Sequence, residues 1–150
     1  IRNLIGYLPG EFSIYDNLSG EEYISHILHL RNKSNKIPNL KNLAARFDLD
    51  LSKKSKKLSK GNKQKVGIVQ AFMKSPKLLI LDEPTVGQDI FQKYRLSKMI
   101  NDMQDQGKTV ILVSHDVEFL WSIQPRVIVM TNGRILDDGS SGSVFHEPSP

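Results

Sequence analysis

The sequence predicts an α/β fold in which helices cover a parallel β-sheet, preceded along the chain by a mainly α-helical region. Residues 78–81 (LLIL) and 109–114 (TVILVS) are continuous apolar runs. Such runs are typical of parallel strands that are covered by helices on both faces. A helix predicted over residues 90–106 separates them, so strand, helix and strand alternate as they do in a parallel sheet.

The composition fits one globular domain without disulfide bonds. The 150 residues are 39% hydrophobic and 25% charged and include no cysteine, which excludes thiolate metal sites and favours a reducing compartment. No apolar run approaches the roughly 20 residues that are needed to cross a bilayer. Residues 31–65 contain twelve Lys or Arg and two Asp, a local charge of +10. Such a segment either forms a solvated helical surface or attracts nucleic acid or anionic headgroups.

The N-terminal part is predicted to begin with a strand and a capped helix. Residues 3–8 (NLIGYL) form a short apolar run that stops at Pro9 and Gly10, which indicates a strand. Ser19 and Glu22 have the Ser-x-x-Glu spacing of a capping box, in which each side chain accepts a hydrogen bond from the other residue's backbone N–H. A helix is therefore predicted to begin there.

Two further helices are predicted before the apolar runs of the sheet. One lies near residues 40–47, and the other follows Gly61 and ends before Pro76, because the residue before a proline disfavours the helical conformation. We therefore interpret residues 13–76 as an α-helical subdomain that is helical throughout, apart from a polar loop after the first helix.

Residues 77–150 are predicted to form the α/β core. Its long helix stops at Gly107, and a short helix is expected around residues 117–121. Two apolar runs flank Asn132 and Gly133, and Asn-Gly between apolar runs is a strong hairpin signal. We expect this antiparallel hairpin to close the parallel layer.

The carboxyl ends of the two apolar strands carry acidic groups and an imidazole. Asp82 and Glu83 follow the first strand, and Ser114, His115 and Asp116 follow the second. Ligands of open α/β sheets bind beyond the carboxyl ends of the strands, so these groups converge if the strands are neighbours. The set suits phosphoryl transfer, in which one carboxylate holds Mg²⁺, another group polarises water and a third meets charge on the γ-phosphate. The alternative for Asp82 and Glu83 alone is that they cap the next helix.

The segment LSKGNKQKVGIVQAFMKSPKLLILDEPTVGQD, residues 58–89, resembles the ATP-binding-cassette (ABC) ATPases. The resemblance is greatest to ATP-binding subunits of the efflux or multidrug type, whose signature reads Ser-Lys-Gly rather than Ser-Gly-Gly. It extends from IGYLP near the start of the chain to NGRIL near its end. It implies a partial P-loop NTPase-like core with an α-helical subdomain, and ATP and Mg²⁺ as cofactors.

The resemblance implies that Ser59, Lys60, Gly61 and Asn62 are the signature motif. In the family this motif lies at a helix N-terminus and binds the γ-phosphate of a nucleotide that is held by the opposite subunit. The unpaired N–H groups and the positive end of the helix dipole provide such an anion site.

The residues at the ends of the strands also match family motifs. Asp82 matches the Walker B aspartate that orients Mg²⁺ through water, and Glu83 matches the adjacent catalytic base. Asp89 matches the D-loop aspartate, although the loop reads Val-Gly-Gln-Asp here. His115 matches the switch histidine that contacts the γ-phosphate.

The match is weakest in residues 1–12, which correspond to the strand and Q-loop of the family. The family has a Gln there that contacts the metal and relays the nucleotide state to the membrane subunit. This chain has Gly10 at that position, followed by Glu11. Glu11 either replaces the Gln, since a carboxylate binds Mg²⁺ directly or through water, or is a surface residue.

A Walker A loop of the form Gly-x-x-x-x-Gly-Lys-Ser/Thr is missing from these 150 residues. The triplet Gly107-Lys108-Thr109 has Asp102 where the earlier glycine is required and leads from a helix into a strand, so Gly107 is interpreted as a helix stop. We therefore expect the C-terminal portion of a longer ATPase domain, with negligible ATPase activity by itself. An apolar sheet with an open edge would also favour self-association.

The resemblance implies a subunit that hydrolyses ATP to drive efflux through a membrane permease. It would act as a head-to-tail dimer with a second copy, on the cytoplasmic face of the cell membrane, with the permease docked on residues 13–76 near residues 15–18. Import through such a permease stays open. One alternative is a soluble ABC-family ATPase acting on nucleic acid or ribosomes, although no specific nucleic acid is expected. The other is a non-catalytic regulatory domain of cassette fold, against which the charged strand ends argue.

Overall fold

A computed structural model of the chain describes residues 4–30 and 40–145. Residue 3 of the predicted first strand and the whole polar loop after the first helix lie outside this part. The secondary structure elements alternate after residue 77 as the sequence predicts. In order they are β1 (Ile5–Leu8), α1 (Gly20–Leu30), α2 (Leu40–Ala45), a 3-10 helix (Ser55–Lys57), α3 (Lys60–Phe72), β2 (Leu78–Asp82), α4 (Ile90–Asp105), β3 (Thr109–Val113), α5 (Val117–Ile123), β4 (Arg126–Thr131), β5 (Arg134–Ser140) and α6 (Ser141–Val144).

The central sheet is parallel and has the order β1-β2-β3. Its register aligns Leu8 with Leu81 and Leu81 with Leu112, so these side chains share one face. Leu79 and Leu81 on this face are fully buried and belong to the same core as side chains of α3 and α4. The sequence correctly predicts the parallel α/β layer, and β2 is its central strand.

The opposite face of the sheet is uncovered in the described residues, which corrects one prediction. Ile111 and Val113 of β3 are 49% and 54% exposed, and Tyr7 of β1 is 47% exposed. The apolar runs therefore do not have both faces buried here, because α3 and α4 pack on the same side. Hydrophobicity alone cannot report which element covers which face.

Residues 13–76 are helical only in part, which corrects a second prediction. Helix α2 ends at Ala45, and a loop runs from there to the 3-10 helix. Within this loop Asp48 has a φ of 50°, and Asp50 Oδ1 accepts hydrogen bonds from the N–H and hydroxyl of Ser52. Such local side-chain bonds compete with helix formation. The division into residues 1–12, 13–76 and 77–150 stays a prediction.

The capping box at the start of α1 is present as predicted. Ser19 N–H donates to Glu22 Oε2 at 2.7 Å, and Glu22 N–H donates to Ser19 Oγ at 3.2 Å. Lys54 Nζ donates to both carboxylate oxygens of Glu22, at 2.9 and 2.8 Å. The Lys54 hydrogen bond and the Ser19 N–H together lower the pKa of Glu22 to about 2. The loop before the 3-10 helix is thereby tied to the start of α1.

We expect Glu22→Gln to destabilise the protein at neutral pH and to have little effect near pH 2. The variant keeps a capping acceptor but removes the charge that pairs with Lys54. Because the folded-state pKa of Glu22 lies below its ordinary value of 4.5, the stabilisation is fully present above about pH 4.5 and disappears as the pH falls towards 2. Urea unfolding midpoints of both proteins between pH 2 and pH 7 measure this. Glu21→Gln, one residue earlier and exposed, is the control, and an equal pH dependence for both variants would contradict the assignment.

The C-terminal hairpin forms at the predicted turn but does not close the parallel layer. Asn132 and Gly133 have φ values of 48° and 74°, as a two-residue hairpin turn requires. In the described residues, however, β4 and β5 pair only with each other as a separate two-stranded sheet. The prediction of a closing hairpin was therefore wrong. None of the helices in residues 4–30 and 40–145 is long and apolar enough to span a membrane.

Candidate functional site

Glu83 and His115 meet at the carboxyl ends of β2 and β3. His115 Nδ1 lies 2.9 Å from Glu83 Oε1, and Glu83 N–H donates to Val113 O at 2.8 Å. The His115 side chain is 81% exposed and that of Glu83 26% exposed. The expected convergence of an imidazole and a carboxylate is thus found, because the two strands are adjacent and parallel.

The Glu83 carboxylate has one oxygen engaged and one free. The hydrogen bond from His115 and the negative charge of Glu83 raise the pKa of His115 above its ordinary value. Glu83 Oε2 is buried and has no hydrogen-bond partner within the described residues. A buried oxygen without a partner is costly, so it indicates a place for a water molecule or a ligand.

The backbone of Glu83 is held in an unusual conformation. Its φ of 49° lies in the left-handed region, which residues other than glycine rarely adopt. Pro84 follows, and a residue before a proline favours an extended conformation instead. Such a residue costs about 1–3 kcal/mol and persists where its surroundings hold it. Here Gln64 Nε2 of α3 donates to Glu83 O at 3.2 Å. Gln64 was missed by sequence reasoning, although it stands one turn before Ile68, where the buried stripe of α3 begins.

The predicted signature residues form the exposed N-terminus of α3. Ser59 caps the helix by accepting a hydrogen bond from Asn62 N–H at 3.2 Å, and both Ser59 and Lys60 are exposed. A Cβ atom on Gly61 would lie 2.4 Å from Gly87 O, so only glycine allows this approach. Gln88 Nε2 also donates to Gly61 O at 3.0 Å. The loop before α4 therefore packs against the start of α3.

Asp89 has a clear structural role in this position. Its Oδ1 accepts a hydrogen bond from Gln92 N–H at 2.9 Å, and it caps α4. An Asp at this point also lies at the favourable positive end of the helix dipole. Asp89 is exposed. It directly follows the loop that contacts the start of α3, so it lies beside the signature residues.

Asp82, the predicted metal ligand, lies at the carboxyl end of β2 beside the loop that follows β1. A Cβ atom on Gly10 would lie 3.0 Å from Asp82 Oδ2, so the loop after β1 passes close to this carboxylate. Glu11 is exposed, and no hydrogen bond or ion pair of its side chain is found in the described part. No group of three or more His, Cys, Asp or Glu residues is arranged to hold a metal there. One carboxylate nevertheless fits Mg²⁺, which keeps several waters and takes its other oxygens from substrate phosphates.

An open groove of about 370 Å³ lies beside the helical region. Phe12 and Tyr23 meet there edge to face, with ring centroids 5.6 Å apart. Gln70 adds a polar group to a wall that is otherwise mainly aromatic and aliphatic. The lining residues are Tyr7, Pro9, Phe12, Tyr23, Ile27, Leu30 and Gln70.

The parallel sheet, the exposed N-terminus of α3 and the charged strand ends are the arrangement that the resemblance to the ABC ATPases implied. Residues 1–86 match the sequence model of the ABC transporter family. The chain belongs to this family, as the resemblance of its signature and Walker B segments implied.

Known relatives resemble parts of the chain or nearly all of it. A putative ABC transporter ATP-binding protein of Methanosarcina mazei is 42% identical over 91 residues, which are 61% of this chain and 15% of that protein. A methionine import ATP-binding protein of Pectobacterium atrosepticum is 29% identical over 98% of this chain and 45% of its own length. The solved structure of an ATP-binding subunit of an ABC transporter superposes with a TM-score of 0.80 at 28% identity, over 95% of this chain and 61% of that one. The chain thus spans less than half the length of these two curated relatives.

Proposed function

We propose that this chain is part of the ATP-hydrolysing subunit of an ABC transporter that powers efflux through a membrane permease. The observation that carries the proposal is the 2.9 Å contact between His115 Nδ1 and Glu83 Oε1 at the ends of adjacent strands. Membership of the ABC transporter family supports ATP as the substrate. The roles of individual residues follow from their positions around this contact.

Glu83 and His115 are proposed to act directly on the reaction. The free Oε2 of Glu83 accepts a hydrogen bond from the attacking water and orients it. His115 bonds to Glu83 through Nδ1, so Nε2 is left for an oxygen of the γ-phosphate. Because its pKa is raised, His115 keeps a proton on both nitrogens to a higher pH, and Nε2–H can donate to the phosphate.

Asp82 is proposed to hold Mg²⁺ through water, with Glu11 as a second candidate ligand. When bound, the ion neutralises charge that develops on the phosphate oxygens. The close passage of Gly10 beside Asp82 would bring the loop after β1 near the same ion. That loop would then respond to the presence of nucleotide, as a Q-loop does in the proposed transporter.

The signature residues are proposed to bind the γ-phosphate that a second copy holds. Ser59 and Lys60 are exposed at the N-terminus of α3, where free N–H groups and the helix dipole favour an anion. Gly61 and Asn62 continue the same turn. Each of two head-to-tail copies would thereby complete the other's site.

The permease is proposed to dock on the helical region from the cytoplasmic side of the membrane. The aromatic groove around Phe12 and Tyr23 offers a surface for an amphipathic helix of the permease. Tyr15, 76% exposed, lies in the segment 15–18 that follows Phe12. The efflux assignment is supported by the Ser-Lys-Gly signature.

Import is a second candidate, because a methionine import protein matches 98% of the chain. Transport by inverted membrane vesicles separates the two directions. Nucleic-acid binding is supported less, since three lysines of the basic segment form ion pairs within the chain: Lys53 with Asp50, Lys54 with Glu22 and Lys63 with Asp16. Binding to RNA that weakens steeply with salt would favour that alternative.

Two-copy complementation in the whole natural protein tests the proposal. Glu83→Gln disables the strand-end half of a site, and Ser59→Arg blocks the signature half. If sites form between copies, both substitutions in one copy, paired with a wild-type copy, leave no intact site. The same substitutions placed in opposite copies leave one intact site. We expect ATPase activity only from the second arrangement.

The opposite pattern would contradict sites that are shared between copies. If each copy carried a complete site, the doubly substituted copy would leave its wild-type partner active, and the divided arrangement would be inactive. Ser13→Arg is the control, because it adds the same bulky cation at an exposed position in the loop before α1, away from the signature residues. Full activity in every combination would exclude the proposed site altogether.

A further inference from the structure

We propose that Asp116 is a positioning residue which, held by Lys93 and Thr85, fixes the His115 imidazole against Glu83. The inference rests on the proposed function, because it explains how His115 is kept ready for the phosphate. Asp116 directly follows His115 and precedes α5. The side chain of Asp116 therefore anchors the backbone that carries the imidazole.

Three separate elements bind the Asp116 carboxylate. Oδ1 accepts a hydrogen bond from Phe119 N–H at 3.0 Å and caps α5. Oδ2 lies 2.6 Å from Lys93 Nζ, in the first turns of α4. The side chain of Thr85, a buried residue two positions after Glu83, also lowers the pKa of this carboxyl group as a hydrogen-bonding neighbour. The loop after β2, helix α4 and helix α5 are thus joined at one side chain.

The carboxylate depends on these partners because it is largely removed from water. The Asp116 side chain is 14% exposed and that of Lys93 33% exposed. Burial by itself raises the pKa of Asp116, but the Lys93 ammonium, the Phe119 N–H and Thr85 outweigh it and hold the pKa below its ordinary value. Removal of the Lys93 charge leaves this partly buried carboxylate with less compensation. The side chain then turns towards water and moves the adjacent His115 away from Glu83.

The same contacts link the loop of His115 to the start of α4. Asp89 caps α4 four residues before Lys93, and Gln88 contacts Gly61 of α3. A change at the signature end of this path can therefore reach the imidazole through Lys93 and Asp116. The alternative is that the ion pair of Lys93 and Asp116 only stabilises the packing of α4 against α5. In that case it has no effect on the position of His115.

The pKa of His115, followed by NMR in the full chain without nucleotide, distinguishes positioning from simple electrostatics. Three charged groups act on His115: Glu83 and Asp116 raise its pKa, and Lys93 lowers it. Loss of the Lys93 charge alone would therefore raise the pKa of His115. If Lys93→Met releases the imidazole from Glu83, the pKa falls instead towards 6.5. A fall supports the proposal, and an unchanged or higher pKa overturns it.

Matched variants keep the test decisive. Lys93→Arg retains the charge and a donor and is expected to preserve the pKa of His115. Lys98→Met removes an exposed lysine from the same helix and is expected to change nothing. Thr85→Val changes no charge, so a fall in the pKa of His115 supports positioning and no change overturns it. If Lys93→Met does not fold, the pKa of His115 in Thr85→Val tests the proposal by itself.

Kinetics of the whole protein separate this inference from the proposed function. We expect Lys93→Met to lower kcat for ATP hydrolysis by up to about 10²-fold, with KM for ATP nearly unchanged, as for a misplaced reacting group. If the pKa of His115 falls while kcat is unchanged, the positioning inference stands and the role of His115 in hydrolysis fails. If the pKa does not fall, the positioning inference fails even where Glu83→Gln abolishes hydrolysis.

Discussion

Glu83→Gln is expected to reduce steady ATP hydrolysis by the whole protein about 10²- to 10⁴-fold, the usual contribution of a general base. Glutamine keeps the shape of the side chain and a possible contact with His115, but its amide cannot take a proton from the attacking water. The free Oε2 of Glu83 is the atom concerned, because Oε1 already contacts His115. Nucleotide binding should remain, since the substitution removes negative charge beside a polyanion. Steady-state ATPase rates and nucleotide affinity, measured on the same preparation, test the loss of hydrolysis and the retention of binding.

Glu118→Gln is the matched control for that substitution. Glu118 is an exposed carboxylate in the first turn of α5, three residues after His115, so it changes the same charge near the site without touching Glu83. We expect wild-type turnover from Glu118→Gln. Turnover by Glu83→Gln within a few-fold of wild type would remove Glu83 from the reaction. A parallel loss of nucleotide affinity would instead assign Glu83 to binding.

Features that depend on a few neighbouring residues were predictable from the sequence. The capping box needs only Ser19 and Glu22, and the hairpin turn needs only Asn132 and Gly133, whose φ values are both positive. The meeting of Glu83 and His115 was predictable for a different reason. Once both apolar runs are parallel strands, their carboxyl ends share one edge of the sheet.

Features that depend on distant partners could not be predicted in this way. The left-handed conformation of Glu83 arises from bonds to Val113 and to Gln64, and the position before Pro84 gives no sign of it. The pairing of Lys93 with Asp116 joins residues 23 positions apart that no local pattern connects. Burial of a strand face depends in the same way on the elements that pack against it. The apolar runs therefore predicted that both faces of the sheet are covered, whereas one face is covered in the described residues.

Leu81→Ala is expected to lower the free energy of unfolding by about 2–5 kcal/mol, as other buried Leu→Ala changes do. Leu81 is fully buried in β2, between Leu8 of β1 and Leu112 of β3. Removal of its side chain leaves a cavity in the centre of the core, directly before Asp82 and Glu83. Urea unfolding at constant pH, with the slope of the transition compared between variants, measures the loss. A normal slope with a lower midpoint would show that stability and not compactness has changed.

Ile111→Ala tests the other face of the same sheet. Ile111 is 49% exposed in β3, so its truncation should cost no more than about 1 kcal/mol, the span of β-propensity effects. Equal losses for Ile111→Ala and Leu81→Ala would show that the exposed face is covered in solution. If another copy covers it, the loss at Ile111 depends on protein concentration, because association stabilises by mass action. Light scattering over the same concentrations then distinguishes self-association from a chain that stays monomeric. Within residues 4–30 and 40–145, the exposed apolar face and the unpaired edge of β3 favour self-association.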